Sequence, residues 1–240
     1  MGPAVDLASP LCRAEVVAID EGSWAPAELA RLTGPTPHRV NAYLKGASWP
    51  FESVATTVGA YIDHVRTGDV ERLRRLLPTT TAPDGAVLGY DPSLDIGFYG
   101  ALMVDHLDRC VQSDTAALAT QVANGRSVDD AVMRIYLSRL GSTSGLHWDG
   151  RPASLLQLDG VKEGILLPPS AADRIDPFPN VDGPNSQLDP FAGTADLEDL
   201  DARQFVLCPG DALEMPIGWW HCFRAVTETS TSLSIMWRDR

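Results

Sequence analysis

Hydrophobic and polar positions divide the chain into two parts with different periods. From about residue 24 to 130 the apolar positions recur at helical spacing. Within Trp49 to Leu77, the residues Val54, Val58, Tyr61, Ile62 and Val65 fall on one helical face. A second, short helix is predicted over Val70, Leu73 and Leu77, with Asp69 as its cap and Pro78 as its stop. Leu94 to Val111 and Asp114 to Ala123 are two further helix candidates, and the stretch 79–85 is predicted as a loop. From about residue 132 the period shortens. Val132–Leu137, Ser154–Leu158, Gly164–Leu167, Gln204–Cys208, Ala212–Met215, Trp219–Val226 and Ser230–Trp237 are all short and strand-like. So many short strands, with Pro168-Pro169 and Pro209-Gly210-Asp211 between them, predict a small β-barrel or jelly roll.

One segment fits neither pattern. Residues 171–203 hold eight acidic residues against two arginines, and Pro177, Pro179, Pro184 and Pro190 interrupt any regular element. A loop of that length is either a lid or an insertion. As a lid it would suit a cationic substrate.

Composition narrows the classes. The 240 residues, 44% of them hydrophobic, suffice for one domain with a real core. No apolar run reaches 18 residues and the first residues lack a signal-peptide pattern, so no membrane partner and a cytoplasmic location are expected. A net charge of −13 argues against nucleic acid as a partner, because phosphate binding needs clustered Lys and Arg. Four cysteines without CxxC spacing argue against a zinc site built from thiolates.

Five histidines remain to carry metal or acid–base chemistry. His38 follows a proline in a predicted loop, and His64 and His106 sit in helical patterns near aspartates. His147 and Asp149 are two residues apart, which on a strand places both side chains on one face. His221, from a distant strand, completes two histidines and a carboxylate, the donor set of non-haem iron(II) oxygenases. Zinc is the competing metal, and a turn aspartate beside a buried core histidine is the structural alternative.

The surrounding residues resemble a known family. Ser144-Gly145-Leu146-His147-Trp148-Asp149, then Leu155 to Lys162, then Leu166-Leu167-Pro168-Pro169 are similar to the core of the JmjC and cupin-like hydroxylases. The run Leu207-Cys208-Pro209-Gly210-Asp211 to Pro216, followed by Gly218-Trp219-Trp220-His221, resembles that family's segment carrying the third ligand. Ser230 to Ser234 is similar to its closing strand, and Val40 to Pro50, with Lys45-Gly46 and Trp49-Pro50, to its first strand. The JmjC-only and asparaginyl hydroxylases are the nearest in kind.

This resemblance implies an α+β fold. A double-stranded β-helix (a jelly roll of cupin/JmjC type) would occupy the C-terminal half, with a helical N-terminal part packed on it. The whole of 1–240 would form one JmjC-like domain: 24–130 mainly helical, with a strand near 40–46, and 132–237 as the β-helix core with the acidic loop 171–203. It also implies iron(II) held by His147, Asp149 and His221, with 2-oxoglutarate as co-substrate and O2 as oxidant. Lys162, fifteen residues after His147, would pair with the distal carboxylate of 2-oxoglutarate, and Ser144 would donate to the same group. Tyr136 and Ser234 are further candidate contacts. Ala153 stands where the family often has asparagine, which alters the co-substrate pocket.

The implied activity is hydroxylation of a C–H bond in a small molecule, amino acid or peptide. A protein side-chain hydroxylase and a non-catalytic cupin-like binding module are the alternatives. Nineteen residues follow His221, too few for the helices through which relatives often pair, so a monomer or a different homodimer is expected.

Overall fold

The computed structural model describes residues 12–13, 19–20, 22–33, 36–44, 52–77, 80–81, 87–88, 96–175, 185–186, 188–193 and 197–238. In chain order the elements are β1 (Cys12–Arg13), α1 (Pro26–Thr33), β2 (Pro37–Leu44), β3 (Glu52–Thr57), α2 (Val58–Thr67), α3 (Glu71–Arg74), β4 (Thr80–Thr81), β5 (Val87–Leu88), β6 (Ile96–Met103) and α4 (Arg109–Val122). There follow β7 (Val132–Arg139), β8 (Ala153–Asp159), β9 (Lys162–Leu167), β10 (Arg203–Leu207), β11 (Ala212–Met215), β12 (Trp220–Ala225) and β13 (Thr229–Met236). Eight strands form one sheet in the order β1-β11-β8-β13-β7-β6-β2-β3, three form a second in the order β10-β9-β12, and β4 and β5 make a separate hairpin. Every pairing is antiparallel. The fold is therefore mixed α+β with two principal antiparallel sheets.

The inner strands of the large sheet are buried on both faces. On one face Ile135 and Leu137 of β7, Leu156 and Leu158 of β8, and Leu233 and Ile235 of β13 join Tyr61, Ile62, Leu118 and Ala119 of α2 and α4 in one apolar cluster. On the other face Ala153, Leu155, Leu213 and Met215 meet Leu166, Leu207 and Phe223 of the small sheet. Period-two alternation decides which neighbour joins which cluster. The outer face of the small sheet is apolar too. Ile165, Leu167, Trp220 and Cys222 pack under Ala171, Ile175 and Leu200 of the long loop.

Two glycines make the small sheet possible. Gly160 turns β8 into β9 with φ +64°, and a Cβ there would lie 2.2 Å from the Thr229 carbonyl oxygen. Gly164 lies beneath Phe205, whose ring carbon would be 2.3 Å from a Cβ. A side chain at either position forces the backbone or the ring to move.

The N-terminal part is less helical than its periodicity predicts. Val54 lies in β3 and the helix begins only at Val58, where the Thr57 hydroxyl accepts from the Ala60 N–H at 3.2 Å. Of the helix expected over Leu94 to Val111, the described residues 96–111 instead hold β6, a 3₁₀ turn over Val104–His106, and the start of α4. Phe98 and Leu102 of β6 face the helix-side core while Tyr99, Ala101 and Met103 face the inter-sheet space. A strand buried on both faces yields a continuous apolar run, and such a run does not distinguish strand from helix. The strand expected near 40–46 is β2, Pro37–Leu44, which begins three residues earlier; residues 45–50 and Pro78 lie outside the described residues. Asp69 caps α3 from one residue further out than expected, its Oδ1 accepting from the Glu71 N–H at 2.9 Å.

Candidate metal centre

His147, Asp149 and His221 come together at one end of the inter-sheet space. Their potential ligand atoms all lie within 4.8 Å of one another, and His221 Nε2 is 3.6 Å from Asp149 Oδ2. His221 sits on β12, but His147 and Asp149 do not occupy a regular strand as the alternation argument assumes. His147 instead forms an isolated bridge to His221: its N–H donates to the His221 carbonyl at 3.0 Å, and the reverse bond is 2.7 Å. This two-bond clasp, rather than a shared strand face, holds the imidazoles with their ring centroids 4.3 Å apart. Asp149 is fixed more loosely, its carbonyl accepting from Gly218 N–H at 3.4 Å.

The imidazoles are set for coordination. His147 Nδ1 is 3.0 Å from the Gly145 carbonyl oxygen, and His221 Nδ1 is 3.0 Å from that of Trp219. A carbonyl only accepts, so each Nδ1 carries the proton and each Nε2 presents its lone pair. Metal-bound histidines are oriented in this way by their outer partners. Burial, together with His147, pushes the His221 pKa down to about 3, so its ring stays neutral, as a ligand must. The donor set thus fits a divalent ion: two imidazole nitrogens and one carboxylate, converging with no cation among them.

The three residues open onto a cavity of about 450 Å³ between the sheets. All the other candidates from the sequence, Lys162, Ser144, Ser234 and Tyr136, also line it. Lys162 opens β9, is 3% exposed, and its ammonium makes no hydrogen bond or ion pair among the described residues. Burial alone pushes its ammonium down to about 7. Ser144 is partly committed, since its Oγ accepts from the Phe223 N–H at 3.0 Å and lies 3.3 Å from the Gly145 carbonyl. Ser234 is buried on the inner face of β13. Tyr136 stacks on Tyr99 with centroids 5.5 Å apart, and burial raises its phenol pKa, so it remains a neutral donor.

Sequence reasoning missed Arg39, Asn41, Tyr99, Arg134 and Asn185, which also line the cavity. Arg39 and Asn41 alternate with buried Val40 and Ala42, a signal that would have revealed β2. Arg134 shares the parity of Tyr136 on β7. Asn185 forms an isolated bridge with His147, and nothing in its sequence context announced that.

His38 and His64 pack within the fold, and His106 is exposed. His38 lies on β2 rather than in a loop, tilted against Tyr61 at 5.5 Å. His64 is buried, with Nδ1 2.9 Å from the Asp69 carbonyl. Cys222 points away from the site into the outer apolar cluster, as strand alternation requires. Trp219 packs between the sheets and Trp220 under the long loop; neither belongs to the helix-side core.

The chain belongs to the cupin-like domain family, whose model matches residues 49–240. Its relatives include distant JmjC-domain proteins. It is 32% identical over 111 residues to the Jumonji C domain-containing protein 5 of Drosophila melanogaster, covering 44% of this chain and 27% of that protein. It is 26% identical over 122 residues to the lysine-specific demethylase 8 of Xenopus tropicalis, covering 46% and 26%. It is 27% identical over 200 residues to the tRNA wybutosine-synthesizing protein 4 of Neurospora crassa, covering 79% of this chain but 14% of that protein. The chain thus matches about a quarter or less of the length of these relatives.

Proposed function

We propose that this protein is an iron(II)- and 2-oxoglutarate-dependent dioxygenase that hydroxylates a C–H bond of a small molecule, amino acid or peptide. One observation carries the reading: two imidazoles with free Nε2 atoms and a carboxylate share a cavity with a buried, unpaired lysine. Membership of the cupin-like family, whose JmjC relatives are typically such oxygenases, supports it. In this reading the two sheets are the halves of a double-stranded β-helix, and the helices brace it within a single domain.

His147, Asp149 and His221 would hold the iron, leaving coordination positions free for a chelating co-substrate and for oxygen. The iron supplies the redox chemistry that couples oxidative decarboxylation of 2-oxoglutarate to hydroxylation. The protein's own side chains bind and orient. Lys162 would meet the distal carboxylate of 2-oxoglutarate, and that charge would restore its proton. The phenol of Tyr136 and the hydroxyls of Ser144 and Ser234 are donors in the same cavity. The apolar residues Leu155, Met215 and Phe223 keep water from the reacting groups.

The test is turnover in air. Iron(II) should support conversion of 2-oxoglutarate to succinate, slow without the primary substrate, and Lys162→Met should raise the KM for 2-oxoglutarate far more than it lowers kcat. No succinate above the iron-free control, with or without Lys162, would leave the non-catalytic cupin-like binding module as the better reading.

A further inference from the structure

The charges lining the cavity run against those of the chain. Over the whole sequence 32 acidic residues outnumber 19 basic ones. Among the described residues around the cavity, Arg39, Arg134 and Lys162 stand against one carboxylate, that of Asp149. The dioxygenase reading uses Lys162 for the co-substrate and Asp149 for the metal. A divalent ion, three cationic side chains and one carboxylate bring the lining to about +4, and a dianionic co-substrate lowers it to about +2. The excess is that of the two arginines.

Neither arginine has a structural role that consumes its charge. Arg134 lies on β7, opposite Met103 of β6 and Ser234 of β13, on the same face as Tyr136. Its guanidinium lies against the Tyr136 phenol, which also feels the charge of Asp149. Among the described residues it makes no ion pair, and its hydrogen bond to a sulfur, Met236 Sδ at 3.5 Å, uses a weak acceptor. Most of its five N–H donors are unspent. Arg39, on the solvent side, is anchored through Nε to Ser53 Oγ at 3.2 Å and through Nη2 to the Ser53 carbonyl at 2.9 Å. Both partners are neutral, and among the described residues it too makes no ion pair. Two oriented, uncompensated guanidinium groups in one cavity form a recognition site for a planar or tetrahedral anion.

We propose that the primary substrate is a small molecule bearing a carboxylate or phosphate ester, with Arg134 as the specificity-determining contact and Arg39 assisting at the solvent edge. This inference rests on the dioxygenase reading for the separation of Arg134 from the co-substrate lysine. It sets aside the cationic substrate suggested by the acidic stretch 171–203: of that stretch's described residues only the neutral Asn185 lines the cavity, whereas both arginines do. The volume, about 450 Å³, suits a small ligand, for which pockets of about 300–1,000 Å³ are usual.

The test uses the full chain loaded with manganese(II) and saturated with 2-oxoglutarate, with ligand NMR as the readout. Acetate, methyl phosphate and methylammonium serve as probes, and paramagnetic broadening reports which of them enters near the metal. Acetate, methyl phosphate or both should broaden saturably, and the stronger of the two identifies the anionic group; methylammonium should not. Arg134→Gln should weaken the anion effect about ten-fold or more, and Arg134→Lys should retain much of it. Arg39→Gln should weaken it less and provides a second variant if Arg134→Gln unfolds. Preferential entry of methylammonium, no entry of either anion, or anion entry unchanged in both arginine variants overturns the inference. Anion entry lost only in Lys162→Met also overturns it, since the anion would then occupy the co-substrate position. The methylene signals of 2-oxoglutarate in the same spectra report separately whether the dioxygenase reading holds.

Discussion

Replacing Lys162 by methionine should make the ligand-free protein more stable while destroying its affinity for 2-oxoglutarate. The lysine is 3% exposed, has no anionic partner among the described residues, and burial pushes its pKa from 10.5 down to about 7. Below pH 7 both folded and unfolded chains carry the charge, and the folded state bears the whole cost of burying it. At 1.36 kcal/mol per pH unit that cost is about 5 kcal/mol. Between pH 7 and 10.5 the unfolded chain keeps a proton that the folded chain has lost, so wild-type stability rises with pH across this window. Methionine has a similar unbranched stem and no charge. The variant should therefore exceed the wild type by about 5 kcal/mol at pH 6 and by about 1 kcal/mol at pH 10. Urea unfolding of both proteins, free of metal and co-substrate, measures this difference. With metal present, 2-oxoglutarate should stabilise the wild type and leave the variant unmoved. A variant less stable than wild type at pH 6, or a difference independent of pH, would refute the reasoning: Lys162 would then have a partner of its own in the folded chain.

Other expectations are narrower. In wild type the affinity for 2-oxoglutarate should fall as pH rises above about 7, because anion binding then requires uptake of a proton by Lys162; calorimetry in buffers of different ionisation heat reads that uptake directly. Gln157→Leu should cost about 2–4 kcal/mol by denaturant unfolding, because Gln157 is buried and joins the Asp159 and Gly160 carbonyls to Ser230 and Ser232 at 2.7–3.0 Å. Gly164→Val should destabilise by more than about 1–3 kcal/mol, the usual cost of overpacking, since Phe205 and Phe223 crowd the position from both sides. Alkylation followed by mass spectrometry should label the exposed Cys110 and Cys208 in the folded protein and spare Cys222, which is buried and whose thiol pKa burial raises.

Legibility from sequence followed burial. Strands β7 to β13 could be located to within one or two residues, because prolines and glycines bound them and many alternate. Strands β3 and β6 could not, and β2 was expected, near 40–46, only through the family resemblance. Val40 and Ala42 face the helix-side core while Arg39 and Asn41 face the cavity, a pattern that resembles a solvated strand only once the cavity is known. Tyr61, Ile62 and Val65 are helical as their spacing indicates, and they drew Val54 into the same pattern although it belongs to the preceding strand. At the site, the donor types and the offset of Lys162 were legible. The geometry was not: His147 and Asp149 converge on His221 through a backbone clasp formed after a sharp departure from strand structure, and spacing alone does not encode such a clasp. The arginines were invisible for a different reason. A basic residue on a strand is ordinarily a solvated one, and only the topology turns Arg134 into the cavity.

The visible absorption spectrum of the full chain with iron(II), before and after 2-oxoglutarate is added without oxygen, tests the central claim most directly. If His147, Asp149 and His221 hold iron that 2-oxoglutarate chelates beside Lys162, a metal-to-ligand charge-transfer band should appear on addition. It should be lost in His147→Ala and demand far more co-substrate in Lys162→Met. A wild-type spectrum that 2-oxoglutarate leaves unchanged, or a band that survives His147→Ala, would contradict the account.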